Sequence, residues 1–274
     1  IFFKKKMTKL SMYCMALNND NLQTIKSLDY IPVGLKNNNF SDEWLRDNTN
    51  ENISEKNSFY GEYTFYYWYW KNLLKLKDDK EWVGFCSYRE YWGSKKDNKS
   101  DKIEDLVLRE YQPEWSNYEA IIGEPISIGG TKLMKVLKYG KAALLRNPKA
   151  IFFKNARTIR WQFDMFHGNG NLDKAIELLS DKDRDDFKYY TRSETSFPRG
   201  NMFISNSNQI INAYFQNVFK WLKDCENVFG FNLEGYGQIR MYTFLAERYL
   251  PYWFKKYTKF LEWPVIYKDI NKND

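Results

Sequence analysis

Several residues of this chain could bind a ligand, because each stands at the end of a short apolar run that is typical of a buried strand. They are Leu17, Asn18, Asn19, Tyr88, Arg89, Glu90, Ser205 and Asn206. In an open α/β sheet, ligands bind beyond the carboxyl ends of the strands. The guanidinium group of Arg89 could hold a diphosphate there through paired hydrogen bonds, and an ordinary surface ion pair is the alternative. The sequence therefore offers Arg89 as a candidate anion ligand.

Polar residues also gather in the segment DNTNENISEKN, which runs from Asp47 to Asn57. Asp47, Asn48 and Asn57 carry short donors and acceptors that could hold hydroxyl groups, and Lys56 adds a positive charge. The same residue types often form turns, which is the alternative interpretation of this loop. Asn57 is also a candidate N-cap, because its side chain can accept a hydrogen bond from the free N–H groups of a following helix.

The helix that must position this loop is predicted to run from about Phe59 to Leu74. Its segment from Tyr63 to Lys71 is almost wholly aromatic, and the helix is apolar nearly all the way round. Such a helix is buried on most sides. We therefore expect its rings to lie in the core.

The other elements are predicted from apolar runs and their periodicity. Strands are expected at residues 10–16, 28–35, 81–88, 118–124 and 200–206. Helices are expected at residues 131–146, over much of 157–190, at 209–229, and in a final segment that ends before Pro251. A strand, a connection and a second strand near the start favour a parallel βαβ unit. The sequence therefore predicts one α/β domain over residues 1–274, with a helix-rich second half.

Composition narrows the class of protein. The chain has 274 residues, a formal net charge of +7 and a sequence pI near 9.0. A positive surface suits an anionic partner such as a nucleic acid, a nucleotide phosphate or an acidic membrane face, and a modest surface bias is the alternative. The three cysteines lack the spacing of metal ligands, which predicts reduced thiols in a cytosolic protein. No apolar run approaches the ~18 residues of a membrane span, so a soluble or peripheral protein is expected.

Several familiar catalytic motifs are missing from the sequence. It contains no Walker loop, no GxGxxG after a strand, no GxSxG elbow and no HExxH. His167 is the only histidine, which excludes a metal site built from several histidines. The sequence therefore lacks the motifs that usually identify an ATPase, a dehydrogenase, a hydrolase of the GxSxG type or a zinc protease.

Three stretches of the sequence resemble the motifs of one protein family. They are DNTNENISEKNSFYGEYTFYYWYWKN (47–72), VGFCSYREYW (83–92) and NMFIS (201–205). The family consists of bacterial domains formerly known as a domain of unknown function (DUF4422-type, GT-A-like), which groups with glycosyltransferases of capsule and O-antigen synthesis. The resemblance extends from about residue 10 to residue 253. Ser87 and Glu90 depart from it, because the family usually has His and Arg at these positions.

The resemblance implies a fold and an activity. The expected fold is a GT-A-like, Rossmann-like α/β fold with a mixed, mostly parallel sheet flanked by helices. The expected activity is that of a hexosyltransferase, which moves a sugar from a nucleotide-sugar donor to a glycan or lipid-linked glycan acceptor in surface polysaccharide synthesis. A UDP-linked donor is expected, and UDP-galactofuranose is the first to test. Residues 8–125 would then bind the donor, and residues 126–274 would form the acceptor side.

The resemblance also suggests roles for particular residues. The expected donor-binding residues are Leu17, Asn18, Asp47, Asn48, Lys56, Asn57, Tyr88, Arg89 and Asn201. The candidate bases are Asp47, Glu62, His167 and Glu194, and the sequence does not choose among them or between inversion and retention. The expected acceptor-side residues are His167, Glu247 and Arg248. Structural roles are the alternative for His167, Asn201 and the Glu247–Arg248 pair.

GT-A enzymes usually hold a divalent cation with a DxD motif at the exit of a central strand. This chain has SYRE there, so no residue is predicted as a metal ligand. We expect Arg89, helped by Lys56, to neutralise the diphosphate, with Mn²⁺ or Mg²⁺ as an optional cofactor.

Other functions stay open at this level. A nucleic-acid-binding module would suit the charge and the aromatic content, but the basic residues are scattered along the chain, so no nucleic acid is expected as partner. A non-catalytic relative that binds sugar nucleotides would suit the departures at Ser87 and Glu90. The mixture of aromatic residues and Lys in residues 249–268 suggests a peripheral contact at the inner face of the cytoplasmic membrane, with a packed terminal helix as the alternative.

Overall fold

The computed structural model describes residues 8–36, 38–77, 81–94, 102–130, 134 and 141–271. The strands are β1 (Leu10–Ala16), β2 (Ile31–Gly34), β3 (Leu45–Arg46), β4 (Trp82–Ser87), β5 (Glu90–Trp92), β6 (Ala120–Gly123), β7 (Ile126–Ser127), β8 (Ser196–Phe197), β9 (Phe203–Ser205), β10 (Phe260–Trp263) and β11 (Val265–Tyr267). The helices are α1 (Leu22–Ser27), α2 (Asn57–Tyr60), α3 (Tyr63–Asn72), α4 (Ile103–Leu106), α5 (Lys141–Arg146), α6 (Lys149–Phe152), α7 (Ile159–His167), α8 (Asn171–Ile176), α9 (Asp181–Ser193), α10 (Asn208–Phe229), α11 (Tyr236–Ile239) and α12 (Met241–Tyr257).

The main sheet has the strand order β10-β6-β9-β4-β1-β2-β3. The pairs β1–β2, β1–β4, β2–β3 and β6–β10 are parallel. Strand β9 runs antiparallel between β4 and β6, and β5 joins β4 and β11 in antiparallel fashion. The predicted mixed, mostly parallel sheet with flanking helices is therefore confirmed.

Side chains of β1 are buried on both faces of the sheet. Tyr13 and Met15 belong to one core cluster, whereas Met12 and Cys14 belong to another. Successive side chains of a strand point to opposite faces, so these two clusters cover the two sides of the sheet. Burial on both faces explains why the sequence of β1 is a continuous apolar run, as is usual for parallel strands with both faces of their sheet covered.

The aromatic segment is a scaffold, but it is divided into two helices. Gly61 separates α2 from α3 and has a φ of +56°, a conformation that favours glycine. A β-carbon on Gly61 would lie 2.5 Å from Nη2 of Arg240. The rings of α3 are buried, with Tyr63, Tyr66 and Tyr69 almost fully enclosed. Gly61 therefore ends α2 and changes the direction of the chain before α3 begins.

The helical second half differs from its prediction at two places. Helix α12 continues through Pro251 to Tyr257 instead of ending before the proline. Burial of Leu250 and Tyr252 on either side of Pro251 holds this helix together despite the hydrogen bond that proline cannot donate. Only Met134 of residues 131–140, the first part of a predicted helix, is among the described residues, and α5 begins at Lys141.

The C-terminal aromatic segment packs inside the protein. Trp253, Phe254 and Trp263 are buried. Nearby, Nζ of Lys255 lies 2.8 Å from Oε1 of Glu262. Residues 249–257 belong to α12, whereas residues 260–267 form β10 and β11 instead of continuing a terminal helix. Contact of this segment with a membrane stays a prediction. In the part of the chain that the structure describes, no helix is both long enough and apolar enough to cross a bilayer.

Candidate functional site

A cavity of about 330 Å³ opens at the carboxyl ends of β1 and β4. These ends lie side by side because the strands are parallel neighbours, with Met15 opposite Ser87 in the register. The segment before β9, the α2–α3 junction and the first turns of α12 complete the wall. A cavity at this edge is where an open α/β sheet binds its ligand.

Glu62 links three elements at the wall of this cavity. Its Oε1 accepts a hydrogen bond from Nδ2 of Asn201 at 2.6 Å, and its Oε2 lies 3.5 Å from Nη2 of Arg240. Asn201 also donates to Oγ1 of Thr243 at 3.2 Å. The first residues of α3, β9 and α12 are thereby held together. Oδ1 of Asn201 is buried and has no hydrogen-bond partner among the described residues.

Glu247, another residue of the cavity wall, is held by two donors. The backbone N–H of Gly200 donates to its Oε1 at 2.9 Å, and the guanidinium of Arg248 pairs with its Oε2. Arg248 is only 2% exposed, and burial lowers its pKa. Its Nη2 also donates to Oε1 of Gln162 at 2.7 Å. Glu247 therefore has a fixed orientation.

Glu90 presents a free carboxylate to the same cavity. Its side chain forms no hydrogen bond or ion pair within the described residues. Burial, followed by the negative charges of Glu247 and Glu62, raises the pKa of Glu90 to about 7. Both charge states of Glu90 are therefore populated near neutral pH.

Three guanidinium groups balance these acids on the cavity wall. They belong to Arg89, Arg199 and Arg240. The first two are exposed and form no ion pair within the described part of the chain. The guanidinium carbon of Arg89 lies 5.1 Å from the ring centroid of Tyr88, which limits its orientation. Grouped guanidiniums of this kind suit a phosphate-bearing ligand.

The structure brings some of the predicted residues to this cavity and leaves others outside. On the wall lie Leu17, Asn57, Glu62, Tyr88, Arg89, Asn201 and Glu247. Outside it lie Asn18, Asp47, Asn48, Lys56, His167, Glu194 and Arg248. Asn18 lines a separate, polar cavity at the end of β1, and Glu194 is exposed at the end of α9.

Asp47 and Lys56 have partners inside the protein. Asp47 has no exposed surface, and its Oδ2 accepts a hydrogen bond from Oγ1 of Thr64 at 2.5 Å. Burial raises the pKa of Asp47 to about 6, although this hydrogen bond opposes the shift. Nζ of Lys56 lies 2.7 Å from Oε1 of Glu226. Both residues therefore hold the loop against its neighbours instead of facing the cavity.

His167 is buried behind the site. Its Nδ1 lies 2.9 Å from the carbonyl oxygen of Gly237, and its ring stacks on Phe244 with centroids 4.0 Å apart. Burial, helped by the charge of Arg248, lowers the pKa of His167 to about 3. At neutral pH the ring is therefore uncharged and packed, as the structural alternative expects.

Sequence reasoning did not select Arg199, Arg240 or Thr243 for the site, and it noted Glu90 only at a strand exit and as a departure from the family pattern. Arg199 stands two residues before the predicted ligand Asn201, so its proximity to that residue was the available signal. Arg240 and Thr243 reach the cavity only because α12 packs across the sheet edge. In the described residues, no group of three or more His, Cys, Asp or Glu side chains could hold a metal ion.

The fold is similar to that of the WbbM bifunctional glycosyltransferase in its apo structure, with a TM-score of 0.67 and 18% sequence identity. The match covers 94% of this chain and 45% of that chain, so this chain spans less than half of the length of the protein that it resembles. No curated protein matches the sequence. The family model described as a domain of unknown function, DUF4422, matches residues 11–259, and the chain therefore belongs to the DUF4422 family.

Proposed function

We propose that this protein is a glycosyltransferase that moves a hexose from a nucleotide-sugar donor to a glycan acceptor. The observation that carries the proposal is the cavity at the carboxyl ends of β1 and β4, with Arg89, Arg199 and Arg240 on its wall. The fold shared with a protein named as a glycosyltransferase supports it. A UDP-linked donor, with UDP-galactofuranose as the first example, follows from the family resemblance.

The guanidinium groups would act on the diphosphate of the donor. Sugar transfer breaks the bond between the anomeric carbon and the diphosphate, and negative charge accumulates on the leaving group. Positive groups fixed around that position stabilise the transition state more than the ground state. The sequence suggested that Lys56 helps Arg89 to neutralise the diphosphate. Lys56 pairs with Glu226 instead, so we assign this role to Arg199 and Arg240.

A divalent cation, which GT-A enzymes commonly use, does not fit the acidic side chains of this cavity well. Glu62 is bound by Asn201, and Glu247 is bound by Gly200 and Arg248. Glu90 alone offers a free carboxylate among these three. We therefore assign charge neutralisation to the arginines and derive no step through a metal. Transfer that is lost in EDTA and restored by Mn²⁺ would contradict this assignment.

The acceptor is proposed to be a glycan, or a lipid-linked glycan at the inner face of the cytoplasmic membrane. This part of the proposal rests on the family resemblance. A nucleotide-sugar donor is made in the cytoplasm, so the reaction would take place there.

A thermal-shift screen tests the proposal. The purified chain is heated with UDP, GDP, CMP or dTDP sugars, and a donor present at 100 times its Kd stabilises the folded state by about 2.7 kcal/mol. We expect a rise in Tm with a UDP-sugar, followed by release of UDP when acceptor is added. A Tm that none of these nucleotides changes would overturn the proposal. Binding of UDP without any transfer or donor hydrolysis would favour the non-catalytic alternative.

A further inference from the structure

A second cavity of about 480 Å³ lies beside the first. Arg199, Phe244 and Glu247 line both cavities, so the two share a wall. The second cavity reaches from this wall to Ile128 and Gly130. A molecule in the second cavity would therefore touch the same side chains as a donor in the first.

The lining of the second cavity combines aromatic faces with fixed polar groups. Phe166, Phe197 and Phe244 supply apolar surface, and Gln162 and Arg248 supply polar atoms. Pockets that bind small ligands are lined mainly by apolar and aromatic side chains, with a few polar groups that set orientation. A sugar ring suits this lining, because its C–H faces pack on aromatic rings while its hydroxyls need hydrogen-bond partners.

Arg248 is a buried residue on the wall of this cavity. Its Nη1 and Nη2 contact Glu247 and Gln162, and its guanidinium carbon lies 4.6 Å from the ring centroid of Phe197. Nε is buried and has no hydrogen-bond partner among the described residues. Burying an unpaired donor costs free energy unless a ligand or water completes it. Arg248 therefore acts at this cavity mainly by holding Glu247 and Gln162 in place.

Glu247 is the one carboxylate, among the described residues, that lines both cavities. Gly200 and Arg248 each occupy one of its oxygens. A carboxylate has about four lone-pair positions, so both oxygens can accept a further hydrogen bond. A hydroxyl group placed at the shared wall could therefore donate to Glu247 without displacing either partner.

We infer that the second cavity binds the terminal sugar of the acceptor, and that Glu247 takes the proton from the attacking hydroxyl of that sugar. This inference rests on the proposed glycosyl transfer. The acceptor oxygen forms a bond to the anomeric carbon of the donor sugar while the bond from that carbon to the diphosphate breaks. The electron pair leaves with the nucleoside diphosphate, and the hydroxyl proton moves to the Glu247 carboxylate and then to solvent.

The first test replaces the base. Glu247→Gln keeps the size of the side chain but cannot accept the proton, so transfer from the donor that stabilises the wild type to p-nitrophenyl glycosides should fall at least ~100-fold. The Kd of UDP should stay within about threefold of the wild-type value. Glu247→Asp should recover part of the lost rate. Glu194→Gln is the matched control, because Glu194 is exposed and outside both cavities.

The second test fills the acceptor cavity and does not disturb the Glu247–Arg248 pair. Among the described residues, no atom lies within 4 Å of a β-carbon added at Gly130, so a side chain such as that of Gly130→Phe can start there without a clash. The new ring should raise the KM of the p-nitrophenyl glycoside about tenfold. Donor hydrolysis and the Kd of UDP should not change, which separates a blocked acceptor site from a damaged protein.

The outcomes separate this inference from the proposed function. Absence of binding by any sugar nucleotide would overturn the proposed function itself. If the wild type binds donor, three results would overturn only the inference: full transfer by Glu247→Gln, an unchanged acceptor KM in Gly130→Phe, or failure of every p-nitrophenyl glycoside in the panel to accept a sugar. Equal loss of donor binding and transfer in Glu247→Gln would also count against it.

Discussion

Nδ2 of Asn201 donates a hydrogen bond to Oε1 of Glu62 at 2.6 Å, across 139 positions of the chain. Both residues line the cavity, one at the start of α3 and one just before β9. The bond therefore fixes the position of the loop and α3 relative to the sheet. The bonds from Asn201 to Thr243 and from Glu62 to Arg240 support the same wall.

Asn201→Asp should weaken the fold strongly. The substitution places a second carboxylate against Glu62 in a buried position, where Asn201 is 5% exposed. We expect the free energy of unfolding to fall by about 2–4 kcal/mol at pH 7, with partial recovery at pH 5 as one carboxyl takes up a proton. Urea denaturation measures this change. Asn155→Asp, the same replacement at an exposed position, is the control, and equal stability of the two variants would contradict the role of the bond.

The arginines and Lys56 should behave differently when their charge is removed. Arg89→Gln and Arg240→Gln each remove a guanidinium from the cavity wall, and we expect the Kd of UDP to rise about tenfold in each. Lys56→Gln should leave that Kd unchanged and should lower stability by about 1 kcal/mol, because Glu226 loses one of its partners. Calorimetric titration with UDP and urea denaturation make the comparison. A weakened UDP affinity in Lys56→Gln would restore the donor role that the sequence suggested.

The sequence predicts the sheet edge better than it predicts the site. Strands β1 and β4 are recognisable because they are buried on both faces, and the binding rule for such strands correctly brings Leu17, Tyr88 and Arg89 to the cavity wall. Arg199 and Arg240 reach the same cavity through the packing of α12 and of the segment before β9. No local pattern encodes that packing, since it joins segments far apart in the chain.

Burial is the second property that residue type alone did not reveal. Asp47 and His167 have the side chains of catalytic bases, yet the structure encloses both, with Thr64 against Asp47 and Phe244 against His167. The residue types of Asp47 and His167 would give the same prediction if their side chains faced solvent. Strand β10 illustrates the same limit, because its pairing with β6 makes the C-terminal segment the edge strand of the sheet.

Glu90 should make stability depend on pH near neutrality. Its pKa is about 7 in the folded protein, above the ordinary value of 4.5, because of burial and the charges of Glu247 and Glu62, with Arg199 and Arg89 opposing the shift. The folded state therefore binds this proton more tightly than the unfolded chain does. The resulting stability is fully present below pH 4.5 and is lost as the pH rises through 7.

Glu90→Gln mimics the protonated side chain and should remove this pH dependence. At pH 8 we expect the variant to be more stable than the wild type by about 1–3 kcal/mol, discounted for the part of the carboxylate that faces the cavity. The affinity for UDP at pH 8 should also rise, because one negative charge leaves the cavity. Thermal unfolding at pH 5, 6, 7 and 8 gives the first result. Parallel curves for the two proteins would show that Glu90 titrates normally.

His167 should not titrate in the physiological range. Its pKa of about 3 lies below the ordinary 6.5, so the stability it contributes is present above pH 6.5 and is lost as the pH falls toward 3. His167 is the one histidine of the chain, so its ring protons give a single set of NMR signals. We expect those signals to stay constant from pH 8 to pH 5 and to titrate near 6.5 in urea. A midpoint near 6.5 in the folded protein would make His167 an available base again.

Gly200 should resist replacement for two separable reasons. Its φ is +76°, a region in which L side chains are strained, and a β-carbon there would lie 2.5 Å from Oε2 of Glu90. Gly200→Ala should therefore lower the free energy of unfolding by about 1–3 kcal/mol and shift the Glu90 carboxylate. Glu90→Ala combined with Gly200→Ala removes the contact but keeps the backbone strain, so the double variant measures the backbone part alone. Gly130→Ala is the control, because its β-carbon meets no atom of the described residues within 4 Å and the stability of this variant should not fall.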